Sequence, residues 1–185
     1  MRKKLLSAMQ RHVAQLAANG SSLRNQGAAG VVAFARDFLE AVELGRFVRG
    51  DEQAFKSELD RVTEILCGGF PEKARNWGAA RKVLNLFLRD CLYHSYLAEK
   101  YGLDRLREWL EVPLDSQVAE ALLGESSGHA LPVWPGIKHL TPSQSAQYQK
   151  AAVSAAEVLQ VARVDLDLWY WRPRADSASV KRLDK

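Results

Sequence analysis

Lys82 and Asp115 are the residues of this 185-residue chain whose types and settings suit a reaction. Lys82 lies in Trp77-Gly78-Ala79-Ala80-Arg81-Lys82-Val83-Leu84-Asn85, which reads as a tight turn opening a long helix with a lysine in its first turns. Asp115 lies in Glu111-Val112-Pro113-Leu114-Asp115-Ser116-Gln117-Val118-Ala119, an extended, proline-containing approach to a new helix with the aspartate at the junction. A lysine amine relieved of its proton is a nucleophile suited to Schiff-base chemistry. A carboxylate beside it stabilises positive charge developing on a substrate. Both residues also have ordinary readings: Lys82 as a solvated helix residue, and Asp115 as an N-cap.

The elements that must position them are helical. Residues 2 to 18 carry Leu5, Met9, Val13, Leu16 and Ala17 on one side, and Asn19-Gly20 stops that helix. A second amphipathic helix is expected from about Ala28 to Val48, and a third from its N-cap Asp51 to Cys67-Gly68-Gly69. The fourth runs from about Ala79 to Tyr101 and is apolar around most of its circumference, which predicts the central buried helix. One stripe of it differs: Lys82, Asn85, Arg89, Tyr93, Tyr96 and Lys100 share a face at three- and four-residue spacing.

Asp104 to Leu110 predicts a short helix, and Leu114 to Leu123 a further one stopped by Gly124. Residues 125 to 141 read as loop. Thr141-Pro142-Ser143-Gln144 starts a helix to about Arg163, with Thr at the N-cap, Pro at N1 and Gln at N3. Residues 164 to 171 alternate in a way that also suits a strand. The reading is all-α: a single compact helical domain over residues 1–171, then a basic polar tail over 172–185.

A net charge of +4 is mildly basic and favours a polyanionic partner. Cys67 and Cys91 form no C-x-x-C and have no neighbouring ligand set, so neither a disulfide framework nor a metal is expected. No segment approaches membrane-span length, and the basic N-terminus breaks at Gln10-Arg11-His12 before a signal-peptide core forms, so the chain reads as cytoplasmic. No P-loop, dinucleotide fingerprint, zincin motif or serine-hydrolase elbow is present.

The Gly78–Asn85 segment followed by Val112-Pro113-Leu114-Asp115-Ser116-Gln117-Val118 resembles the helix-hairpin-helix DNA glycosylases, and is most similar to the 8-oxoguanine glycosylase/lyase branch. The resemblance covers about a quarter of the chain and implies Lys82 as the catalytic lysine and Asp115 as the catalytic aspartate. It implies DNA as partner, no cofactor, and DNA contacts at Gly78, Arg81, Asn85 and Arg89. Arg81 and Arg89 are also candidate cations to lower the pKa of the nucleophilic amine. A base drawn out of the stack needs aromatic faces, and Trp134, Trp169 and Tyr170 are the candidates. Two other readings use the same residues: a noncatalytic helical module that binds nucleic acid, and a protein-interaction module whose aromatic tail docks a partner.

Overall fold

The computed structural model describes residues 2–125 and 131–171, and the basic tail lies outside them. Helix α1 (Arg2–Ala17) buries Val13, Ala14 and Ala17. Helix α2 (Val31–Glu40) ends well before the expected Val48, and a single 3-10 turn over Leu44–Arg46 follows. The reason is a distant glutamine. The buried Gln10 on α1 donates its amide to the carbonyls of Leu39, Glu40 and Val42 at 3.2, 3.0 and 2.8 Å. Those carbonyls are satisfied without another helical turn.

Helix α3 (Glu52–Gly69) begins where Asp51 predicts, with Asp51 Oδ1 accepting from the Ala54 amide at 3.0 Å. Helix α4 (Trp77–Tyr93) is the central helix, packed against α1 and α3 and buried over most of its length. It is shorter than expected. The backbone turns extended at His94, and a separate α5 (Ser95–Tyr101) continues to Gly102. A 3-10 turn over Leu103–Leu106 stands where a short helix to Leu110 was expected.

Helix α6 spans Ser116–Glu125. Helix α7 (Pro142–Leu159) has the predicted capping box: the Thr141 hydroxyl accepts from the Gln144 amide, and the Gln144 side chain accepts from the Thr141 amide. It stops at Gln160, a left-handed residue with φ 55°, before the expected Arg163. Residues 163 to 170 are a 3-10 turn followed by a short helix α8 (Leu166–Tyr170), not the strand that their alternation allowed. The described residues contain eight α-helices and no strand.

The buried apolar side chains form two clusters. The larger joins α1 to α5 with Leu103, Leu106, Leu110 and Val164. The smaller joins Val112, Leu114, α6, Leu140, α7 and Leu166. The polar stripe of α4 faces the chain that carries the second cluster, so its charges lie along the line where the two clusters meet. Among the described residues no helix is long and apolar enough to cross a membrane.

Candidate active site

Helix α4 begins against the loop that precedes α7. A Cβ built on Gly78 would lie 2.3 Å from the Ile137 carbonyl oxygen and 2.8 Å from Leu140 Cβ. Only a glycine allows the backbones to approach that closely. Gly78, expected to meet DNA, is instead buried by the chain's own residues 137–140.

One helical turn onward, Lys82 Nζ lies 3.4 Å from Asp115 Oδ2, with the two side chains 14% and 27% exposed. The other oxygen, Asp115 Oδ1, accepts from the Gln117 and Val118 amides at 3.0 and 3.1 Å. The carboxylate is thus fixed by the first turn of α6 through one oxygen and presents the other to the amine. The 3.4 Å separation is long for a charge-assisted hydrogen bond, which closes to about 2.7–2.9 Å at its strongest. The two groups are near each other but not locked together.

The neighbours of Lys82 on α4 have different work from that expected. Arg81 is buried, 6% exposed, and cannot reach a phosphate. Its Nε and Nη2 donate to Glu111 at 2.8 and 2.9 Å, and its Nη1 donates to Asp60 at 2.8 Å and to the Thr63 hydroxyl at 3.0 Å. Its guanidinium also lies over the Trp77 ring, 5.4 Å from the centroid. Burial works against the Arg81 charge, but Glu111 and Asp60 outweigh it and raise its pKa. Burial likewise pushes the Glu111 carboxyl up, but Arg81, Asn85 and Arg163 outweigh it and hold it below the ordinary glutamate value. Glu111 is therefore ionised and can only accept.

Arg89 is also withdrawn from any DNA role. It donates to Asp90 at 2.7 and 2.9 Å and pairs with Asp167 across from α8. Tyr93 donates to Asp165, and Arg107 reaches the same carboxylate at 3.0 Å. Arg163 closes the row by donating to the carbonyls of Leu110 and Trp109 at 3.0 and 2.6 Å. From Lys82 to Tyr93 the polar stripe of α4 forms a seam of ion pairs and hydrogen bonds between the two clusters. Its partners are far away in the chain, which hides them from helical periodicity.

Asn85, the last of the expected DNA contacts, is 1% exposed and donates Nδ2 to Glu111 at 3.0 Å. Its Oδ1 is buried and has no hydrogen-bond partner among the described residues; His94 Nδ1, at the α4–α5 break, is the other such atom. An unsatisfied buried acceptor costs about 1–3 kcal/mol. Asn85, Gly78, Arg81, Lys82, Leu114, Leu140, Ser145 and Gln149 line a shallow, closely packed cleft. Gln149 is spent on the backbone, accepting from the Val112 amide at 3.1 Å and donating to the Val112 carbonyl at 2.8 Å. It fixes the strand-like approach to Asp115.

None of the three expected base-pocket aromatics lines this cleft. Trp134 packs edge-on against Tyr148 with centroids 5.3 Å apart, and the Tyr148 hydroxyl donates to the Pro132 carbonyl at 2.7 Å. Trp169 is 50% exposed on α8. Tyr170 donates to Glu125. Sequence reading missed Glu111, Ser145 and Gln149; of these only Glu111 carried a signal, as a carboxylate next to Val112-Pro113. Among the described residues no group of three His, Cys, Asp or Glu is placed to hold a metal ion. No protein-family model, curated protein or solved structure matches this chain.

Proposed function

We propose that this chain is a DNA glycosylase with lyase activity, in which Lys82 is the nucleophile and Asp115 the supporting carboxylate. The observation that carries the reading is the approach of Lys82 Nζ, from the wall of the shallow cleft, to Asp115 Oδ2, with Asp115 Oδ1 already engaged by α6 amides. Breaking an N-glycosidic bond builds oxocarbenium character at the sugar, and a fixed carboxylate stabilises it. The Lys82 amine then bonds to C1′ while the C1′–N bond breaks and its electron pair leaves with the base. Opening of the sugar ring converts the adduct to a Schiff base. The proton that the ammonium must lose before attack has an acceptor in Asp115 Oδ2.

With Arg81 and Arg89 committed to Glu111 and Asp167, phosphate contact falls to exposed cations near the cleft. Lys138, on the loop packed over Gly78, is exposed and is the nearest in sequence to the cleft wall at Leu140. A second reading has its own support. Lys82–Asp115 lies in the same row as Arg81–Glu111 and Arg89–Asp167, so it also suits a purely structural pair in a noncatalytic helical protein. Borohydride trapping on DNA with an abasic site separates the two: the enzyme forms a covalent complex through Lys82, and the structural protein forms none.

A further inference from the structure

The chain passes between the two apolar clusters three times, and the crossings lie together. Glu111 is bound to Arg81 and Asn85 of α4, whereas its neighbour Val112 has both backbone polar groups on Gln149 of α7. Val161 packs against the smaller cluster and Ala162 against the larger. Asp165 accepts from Tyr93 and Arg107, on the side of the larger cluster, and Leu166 is buried in the smaller. Arg163 donates to the carbonyls of Trp109 and Leu110 at 2.6 and 3.0 Å, which ties the 162–165 passage to the 109–111 passage. Crossings gathered at one place join two bodies as a hinge does, with the φ/ψ change confined to a few residues.

Residues 112–161 and 166–171 are held to one another by the smaller cluster, by Gln149 on Val112 and by Tyr170 donating to Glu125. Away from the crossings they meet the larger body through Lys82–Asp115, Arg89–Asp167 and the contact of Gly78 with Ile137 and Leu140. The closure is imperfect. Lys82 Nζ stops 3.4 Å from Asp115 Oδ2, and Asn85 Oδ1 is buried without a partner among the described residues. Parting this seam returns four charges and an unmatched amide oxygen to water and cuts neither apolar cluster. The closed cleft, in turn, is packed too closely to admit a sugar beside Lys82. We propose that residues 112–161 and 166–171 swing as one lobe about these crossings, and that Lys82 and Asp115 meet a substrate in the open state. The swing stands on the seam alone; its use in catalysis rests on the base-excision reading.

Spin labels on Lys73→Cys and His139→Cys test the swing on the full chain, with Cys67→Ser removing the half-buried native thiol and Cys91 fully buried. Both labelled positions are exposed and flank the contact of Gly78 with Ile137. Salt screens the pairs that hold the seam, so a second, longer distance is expected to gain population several-fold between low and molar salt. Asp167→Asn, which leaves Arg89 with Asp90, should raise that population at low salt. A control pair within the lobe, His139→Cys with Lys150→Cys, should keep one distance throughout. A single distance for the first pair, indifferent to salt and to Asp167→Asn, overturns the swing. So does a control pair that broadens with it, which is local unfolding. Bridging the first pair's thiols with a bismaleimide cut to the shorter distance should lower borohydride trapping on abasic DNA by about ten-fold or more, because the competent state is withdrawn. The reference is the same chain capped with N-ethylmaleimide, and full trapping by the bridged chain overturns the catalytic use of the swing. A swing in a chain that never traps removes the Lys82 reading and leaves the swing standing; trapping without a swing does the reverse.

Discussion

Arg81 grips Glu111 with two hydrogen bonds of 2.8 and 2.9 Å, joining the central helix to the segment that leads into Asp115. This pair does for the cleft what a backbone connection would do. It sets the distance between α4, which carries Lys82, and the Val112–Leu114 stretch, which carries Asp115. Removing one member leaves the other buried without its main partner, and such losses cost about 3–5 kcal/mol. Glu111→Gln is expected to destabilise by about that much in urea unfolding. Arg81→Met with Glu111→Leu should recover much of it, because apolar replacement of both partners removes the uncompensated charge.

The same pair sets an acid limb. Glu111 has a folded pKa below its ordinary value of 4.5, because Arg81 and Asn85 overcome the effect of burial. A depressed carboxylate contributes stability above its unfolded pKa and loses it as pH falls through its folded pKa. Stability should therefore decline on acidification below about pH 4.5. Glu111→Gln should flatten that decline when unfolding is followed at several pH values. An unchanged acid limb in Glu111→Gln would assign it to other carboxylates.

Gly78→Ala tests the close packing at the start of α4. The new methyl would lie 2.3 Å from the Ile137 carbonyl oxygen, and a backbone atom cannot swing aside as a side chain can. Alanine gains about 1 kcal/mol of helix propensity over glycine. Overpacking costs about 1–3 kcal/mol and displaces the loop. A net loss of thermal stability is expected; a stabilised variant would contradict the geometry.

The helix starts were legible in the sequence and the seam was not. Asp51, Asp115 and Thr141 cap through atoms within three residues of themselves, so their chemistry is local and can be read from spacing. Apart from Asp90, beside Arg89, the partners of the α4 stripe lie 26 to 78 residues away. No periodicity tells a solvated arginine from one that meets Asp167, so Arg81 and Arg89 read as DNA contacts. The end of α2 escaped for the same reason, because Gln10 supplies its hydrogen bonds from α1. The strand alternative at 164 to 171 failed because a few residues of alternation also fit a 3-10 turn running into one helical turn. Lys82 and Asp115 stood out by residue type and by their places near two helix starts; Ser145 and Gln149, brought to the cleft by α7, gave no local signal.

DNA binding is expected to be modest and to weaken steeply with salt, since phosphate contacts release counterions. Lys138→Glu should weaken binding to every sequence alike and lower the salt slope by about one. Arg89→Glu should act mainly on stability, because its partners are Asp90 and Asp167. Binding indifferent to salt in fluorescence anisotropy would exclude a nucleic-acid role.

The double duty of Asp115 gives a pair of variants with opposite signatures. Asn caps about as well as Asp, so Asp115→Asn should keep its thermal stability while losing the charge that favours the oxocarbenium. Asp115→Ala should lose activity and also about 1 kcal/mol of stability. Full base excision by Asp115→Asn would show that the carboxylate serves only as a cap.

Borohydride trapping bears most directly on the central claim. The wild-type chain, incubated with duplex DNA carrying an abasic site and then reduced, should yield a covalent complex in which hydride has converted the Lys82 imine to a stable secondary amine, located by peptide mass mapping. Lys82→Ala should give no complex while remaining folded, because its side chain belongs to neither apolar cluster. A complex that persists in Lys82→Ala, or that maps to another lysine, would contradict the assignment. Absence of any complex with the wild-type chain would leave Lys82 and Asp115 as one more ion pair of the seam.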